Sequence, residues 1–265
     1  MYSIRQEQMR EYIEQKKVVT IKELQDMFPN VSLMTVHRDL DALESSGAIV
    51  KFRGGAKSVR LTGDPEFNVR MRENNSGKTV MAKKALSLIQ PHTSIFLDAS
   101  TTNLALARSL PDISLNIITT GPSIALELCR LHNPVVTLCC GTINRKNLAL
   151  SGQNTLEMLS GINIDLAFMG VSGCSVDAGF TCGTEGDMLV KHKVIQKART
   201  SVVMCGHEKF GCLMPYTFAE WQDVDYLICD TDVPDAVALS ARQAGVKILY
   251  NIPMWLFAQA KPHRF

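Results

Sequence analysis

Two stretches of this sequence place hydrogen-bonding and charged groups where chemistry could use them. One is Asp98-Ala99-Ser100-Thr101-Thr102-Asn103, which follows an apolar run and opens a helical pattern. Hydroxyls and backbone N–H groups at a helix N-terminus suit a phosphate, although plain helix capping explains the same turn. Turns of small residues end other apolar runs: Thr119-Thr120-Gly121, Gly141-Thr142 and Gly170-Val171-Ser172-Gly173. The other stretch is SLMTVHRDLDALESS, starting at Ser32. At about 100° per residue, Leu33, Val36, Leu40 and Leu43 share one face, while Arg38 points nearly opposite with Met34 on its side and Thr35 and His37 on the flanks. Arginine can contact guanine or phosphate, and threonine a base edge or methyl group. An ordinary three-helix packing module with a solvated face gives the same pattern, and Asp39 and Asp41 would repel a polyanion. Asp39, though, lies about 60° from the core direction, where it could tie the helix to its neighbours.

These stretches need elements to hold them. Ser3 with Gln6, and Thr20 with Glu23, have the capping-box spacing of helix starts. The first helix is expected to bury Ile4, Met9 and Ile13, and the second Ile21, Leu24 and Phe28. Pro29-Asn30 ends the second, Ser32 caps a third reaching about Ser46, and Gly47 stops it. AIVKFRGGA then reads as a short strand and glycine turn carrying Lys51 and Arg53. From Asp64 to Gly77 the chain is polar and irregular, as a linker or a connecting helix would be. Beyond it, seven strand-like runs (SIFLDAS, LNIITTG, VVTLCCG, DLAFMGV, SVVMCG, DYLICD and VKILY) alternate with helical patterns. That alternation predicts an α/β domain with a mostly parallel sheet, which binds ligands at the carboxyl ends of its strands. The expected division is 1–60 for a DNA-binding head, 61–77 for a linker and 78–265 for an α/β domain.

Composition narrows the function classes. Of 265 residues, 46% are apolar and 20% charged, as in a soluble globular protein. No apolar run is long enough for a membrane helix, and the N-terminus, charged from Arg5 onward, does not read as a secretory signal. The eight cysteines contain no C-x-x-C and sit mostly in apolar runs, so buried hydrophobes in a reducing cytosol are expected and no metal site. The net charge of +2 is uneven: residues 1–60 hold ten Lys/Arg against eight Asp/Glu, whereas the remainder holds eighteen of each. Lys51, Arg53, Lys57 and Arg60 fall between Glu44 and Asp64, where no acid occurs. A small basic stripe of that kind can meet a polyanion.

Arg5, Met9 and Ile13, followed by VS-x-x-TVHRDLDALESSGAIVKFRGGA, resemble the winged helix-turn-helix of the DeoR family of bacterial transcriptional regulators. Two departures stand out: His37 occupies a usual arginine position, and FPNVS is one residue longer than the usual turn. The resemblance implies a DNA-binding face of Ser32, Met34, Thr35, His37, Arg38, Lys51 and Arg53. IFLDASTT, GTINRKNLALSG, DLAFMGVSG, TEGDMLVK and HEKFG resemble the DeoR sensor domain, whose fold is similar to that of ribose phosphate isomerases. By that likeness Asp98, Ser100, Thr101 and Thr102 would hold phosphate or nearby hydroxyls, with Thr120, Gly141, Arg145, Glu185, Lys191 and Lys209 lining the pocket. The family's D-x-S-K-F motif carries an acid where this chain has Gly206, and a serine where it has Glu208.

The resemblance therefore implies a cytoplasmic repressor of a carbohydrate-utilisation operon. It would bind double-stranded operator DNA as a homo-oligomer, dimer or tetramer, and be released by a phosphorylated sugar or related metabolite. No cofactor, metal, catalytic residue or membrane is expected. The alternative is a sugar phosphate isomerase-like enzyme with an appended DNA-binding domain, using Asp98 and Glu185 for acid–base chemistry.

Overall fold

The computed structural model describes residues 3–46, 48–52, 54–58 and 65–249. The head consists of α1 (Ile4–Lys16), β1 (Val18–Thr20), α2 (Ile21–Met27), α3 (Leu33–Ser45), β2 (Ile49–Phe52) and β3 (Gly55–Ser58). Both expected capping boxes form: Ser3 with Gln6, and Thr20 with Glu23, satisfy each other's orphan donors. Ser32 caps α3 by accepting from the Thr35 amide. Gly47, Arg53 and Arg60 lie outside the described residues. Met9, Ile13, Leu24, Val36, Leu40, Leu43 and Ile49 form the head's core, with Val19 and Ala56 from the small antiparallel sheet β1-β3-β2. Burial of each larger side chain contributes about 1.5–3 kcal/mol.

Two expected core residues are instead exposed, Ile4 by 83% and Leu33 by 46%. Each is the first residue of its helix, ahead of the turn that reaches the neighbouring elements. Helical periodicity assigns a face and says nothing about where the packing partner ends. The strand β1 was also absent from the expected set, because three residues give alternation nothing to repeat.

After the head come α4 (Phe67–Arg72), α5 (Asn75–Leu86), β4 (Ser94–Leu97), α6 (Thr101–Ser109), β5 (Asn116–Thr119), α7 (Pro122–Leu128) and β6 (Val135–Leu138). A hairpin, β7 (Thr142–Asn144) and β8 (Ala149–Ser151), leads to α8 (Gln153–Ser160) and β9 (Ile164–Gly170). Then follow β10 (Gly173–Ser175), β11 (Gly179–Cys182), α9 (Glu185–Lys197), β12 (Ala198–Cys205), β13 (Tyr216–Ala219), β14 (Tyr226–Cys229), α10 (Asp235–Ala244) and β15 (Lys247–Leu249). The stretch expected as a linker thus carries α4 and the start of α5.

All seven strand-like runs become the strands of one parallel sheet, ordered β15-β14-β12-β9-β4-β5-β6. Alternate residues serve opposite faces. Ile95, Leu97, Leu166, Phe168, Val202 and Met204 pack on one side with α5, α6 and α7. Phe96, Ala167, Met169, Val203 and Cys205 pack on the other, with residues of α8, α9 and α10. A sheet covered on both faces needs apolar residues at nearly every position, which is why these strands read as unbroken apolar runs.

The strand order reverses at the sheet's centre. From β4 the chain proceeds outward through β5 to β6, then returns to place β9 on the other side of β4. Strand order of this kind opens a crevice beyond the carboxyl ends of the two central strands. Asp98 follows β4, and Gly170 ends β9, at the mouth of that crevice.

Candidate functional site

On α3 the exposed face carries Met34, 78% exposed, and Arg38, which has no acid partner among the described residues. His37 and Thr35 are half-buried beside them. The Thr35 hydroxyl lies 2.9 Å from that of Ser32, so both also serve the helix cap. Asp39 is buried and faces inward, accepting from Arg5 Nε at 2.6 Å and Gln6 Nε2 at 3.0 Å. It therefore ties α3 to α1 and offers little repulsion at the exposed face. Lys51 on β2 pairs with Asp41, and its amide donates to Glu44 Oε1 at 2.7 Å. These contacts fasten the wing to α3, and the Lys51 charge is already met. A helix with a free arginine and apolar reach on one face, flanked by a hairpin wing, can enter a major groove.

At the switch point in the sheet, Asp98 organises a buried network. Its Oδ1 accepts from the Ser100 amide at 2.9 Å and Asn103 Nδ2 at 2.8 Å. Its Oδ2 accepts from the Gly170 amide at 2.8 Å and stands 3.2 Å from Lys191 Nζ. Lys191 also donates to the Gly170 carbonyl at 2.9 Å and pairs with Asp187 at 2.9 Å. Burial alone would push the Lys191 ammonium down, but Asp187 and Asp98 outweigh it and hold it above its ordinary value. Ser100 caps α6 by accepting from the Asn103 amide at 3.1 Å. The Thr101 and Thr102 amides, in the first turn, have no intrahelical acceptor.

A pocket here is lined by Arg70, Asp98, Ser100, Asn147, Gly170, Ser172, Asp187 and Lys191, among others. Of the expected residues it gathers Asp98, Ser100 and Lys191; Thr101 is buried and Thr102 half-buried in the adjoining turn. Lys209 lines a separate, wider cleft that shares Ser172. Thr120 is buried at the end of β5, its carbonyl accepting from the Leu150 amide. Gly141 has φ +143°, and a Cβ there would meet Thr155 Oγ1 at 2.2 Å, so its place is fixed by backbone shape. Arg145 is exposed in the β7–β8 turn, and Glu185 is exposed at the start of α9. Neither Arg145 nor Glu185 lines the pocket; the acid that reaches Lys191 is Asp187, one helical turn before it.

Arg70, Asn147 and Asp187 were not expected. Asp187 had a signal, an acid four residues before a lysine on a helix. Arg70 had none, because it falls in a stretch without periodicity. Lys78 on α5 anchors that stretch, donating from Nζ to the carbonyls of Arg70 and, at 2.6 Å, Glu73. Burial pushes the Lys78 ammonium down to about 8. Phe67 adds a second tie, its amide donating to the Lys146 carbonyl at 2.7 Å. The helix bearing Arg70 is thereby joined to the hairpin bearing Asn147.

A family model for the DeoR-like helix-turn-helix domain matches residues 5–62, and one for the DeoR C-terminal sensor domain matches residues 73–231. The chain is 32% identical to the Escherichia coli HTH-type transcriptional regulator YgbI over 90% of its length and 94% of that protein. It is 31% identical to the regulator GolR of Listeria innocua, covering 92% of this chain and 96% of that one. It is 30% identical to the transcriptional repressor GlcR of Bacillus subtilis, covering 90% and 92%. Among solved structures, ribose 5-phosphate isomerase A of Methanocaldococcus jannaschii aligns at 18% identity and a TM-score of 0.39, covering 52% of this chain and 55% of that one.

Proposed function

This chain belongs to the DeoR family and is a DNA-binding transcriptional regulator rather than an enzyme, and on that premise we propose that it represses a carbohydrate-utilisation operon. In this reading it acts in the cytoplasm and releases its operator when a phosphorylated sugar or sugar derivative fills the pocket between β4 and β9. The repressor sign is supported by the relative that carries that name. Ser32, Met34, Thr35, His37 and Arg38 form the reading face, with Lys51 on the wing and Arg53 two residues after it in the sequence. Operators with paired half-sites require paired heads, so the active species is a homo-oligomer.

One observation carries the ligand reading: Arg70 stands in the pocket, with no acid partner among the described residues. The Lys191 charge is consumed by Asp98 and Asp187. Arg70 Nε donates to the Pro65 carbonyl at 3.1 Å, and its remaining guanidinium donors together with the first-turn amides of Thr101 and Thr102 suit an anionic group. Asn147 and Asp187 are placed for hydroxyls. Arg70 also sits on α4, the first described helix after the head in the chain, so a ligand that draws on Arg70 acts early in the segment that follows the head. Such a ligand shifts DNA affinity only by binding the two states unequally.

The test is a thermal-shift screen of phosphorylated sugars, sugar alcohols and sugar acids on the full chain, followed by operator release. Arg70→Ala should keep operator affinity and lose ligand-dependent release. A full ligand response in that variant would move the anion site elsewhere, and Lys209→Ala then asks whether it lies in the wider cleft.

A further inference from the structure

Gly206 ends the sheet strand β12 on its carboxyl side, and Asp230 follows the neighbouring β14, which pairs Cys205 with Cys229. That register brings the residues after the two strands together. The His207 amide donates to Asp230 Oδ1 at 2.8 Å, and His207 Nδ1 lies 2.7 Å from Asp230 Oδ2. Glu208 folds back toward the same point, with Oε2 3.7 Å from His207 Nδ1. One imidazole nitrogen and one oxygen of each carboxylate thus lie within 4.8 Å of one another. Asn74 Nδ2 donates to Glu208 Oε2 and Asp230 Oδ2, both at 2.8 Å, holding the carboxylates side by side.

We propose that His207, Glu208 and Asp230 form a binding site for a divalent metal cation of the manganese or zinc kind. Two adjacent carboxylates concentrate negative charge, which Lys78 and Lys84 offset through space without an ion pair to either among the described residues. Lys209 reaches the far oxygen of Glu208, at 3.8 Å, and His207 is the titratable partner of Asp230. Mixed imidazole and carboxylate donors suit Mn²⁺ and Zn²⁺. Ligands about 2.1 Å from a cation stand about 3 Å from each other, and the separations of 2.7 and 3.7 Å bracket that value. His207 is exposed and Glu208 half-buried, so both can turn to close the set.

The local sequence is built for this arrangement. A Cβ at residue 206 would stand 2.5 Å from Glu208 Oε2 and 2.7 Å from Oε1. Glycine leaves room for the Glu208 carboxylate to lie back over the strand end, and a larger residue would push it aside. None of the three ligands lines the pocket between β4 and β9, although His207 and Glu208 line the wider cleft that also holds Lys209.

Mn²⁺ is the probe of choice, since it favours oxygen and imidazole over the chain's thiols. Chelator-treated full-length protein is titrated with Mn²⁺ while free ion is followed by its electron paramagnetic resonance signal. One saturable site per chain is expected, displaced by Zn²⁺. His207→Ala, Glu208→Gln and Gly206→Ala should each weaken it about tenfold or more. His207 and Glu208 are accessible enough for their variants to fold, which melting curves verify. Absence of a saturable site in the wild type, or a site whose affinity is unmoved by His207→Ala and Glu208→Gln, would overturn the assignment.

Discussion

Lys191 lines the pocket, yet its charge is already met by the protein itself. Its charge neutralises Asp98 and Asp187 while its proton donors bridge to the Gly170 carbonyl. Removing it takes the counter-charge from two carboxylates, one of them buried, and leaves Asp98 only its neutral donors from Ser100, Asn103 and Gly170. Lys191→Met should cost about 3–5 kcal/mol of stability, because an unpaired buried charge has no replacement for water. Adding Asp98→Asn should recover part of that loss; chemical denaturation of both variants measures it, and a milder effect of the single variant would show the pair to be dispensable. A second residue-scale expectation concerns Asp39, whose bonds to Arg5 and Gln6 join α1 to α3. Asp39→Ala should destabilise the head by about 2 kcal/mol, whereas the exposed Arg38→Ala should leave stability unchanged and weaken operator binding in a mobility-shift titration. At this scale the sequence was only partly legible. Asp98, Ser100 and Lys191 stood out by motif, but choosing Asp187 over Glu185 required the direction in which each leaves α9. Arg70 depended on a packing arrangement to which no local pattern points.

Elements were more legible than residues, for a physical reason. The central sheet is buried on both faces, so each of its strands had to be an apolar run, and each was visible as one. Helices α4 and α8 and the strands β7, β8, β10, β11 and β13 are too short to repeat a period, and β11 is buried at every position, so no alternation marks it. Helix starts were legible wherever a capping box marked them, and one of these is a pH sensor of local stability. Glu23 accepts from the amide and hydroxyl of Thr20 and from Lys16, and the Thr20 amide foremost holds its carboxyl down at about 2. The folded value lies below the ordinary 4.5, so this stabilisation is complete above pH 4.5 and is lost as pH falls from there toward 2. Glu23→Gln should melt earlier than wild type at pH 6, with the gap closing progressively below pH 4.5. A gap that stays constant down to pH 3 would mean the cap does not act through charge.

For the whole molecule, the division of labour follows the division of charge. The surplus of +2 belongs to residues 1–60, and the sensor is neutral in sum, so each head engages few phosphates and affinity should fall only moderately with salt. A true effector, at one hundred times its dissociation constant, should stabilise the native chain by about 2.7 kcal/mol. That shift should vanish in Arg70→Ala while persisting in Arg38→Ala, separating the two ends of the molecule. Equal shifts in both variants would place the ligand outside the pocket described here.

The strand order of the sensor has a consequence for the protein during its own synthesis. The described elements of the head end at Ser58 and pack on near neighbours in the chain. The sensor sheet stays open beside β4 until β9 pairs with it and β12 and β14, the last ending at Cys229, add beyond β9. At about 5–20 residues per second, the ribosome needs on the order of ten to thirty seconds to supply them. During that interval the nascent polypeptide carries a DNA reader while the sheet behind it is still half unwritten, and a message truncated after the head would make that condition permanent.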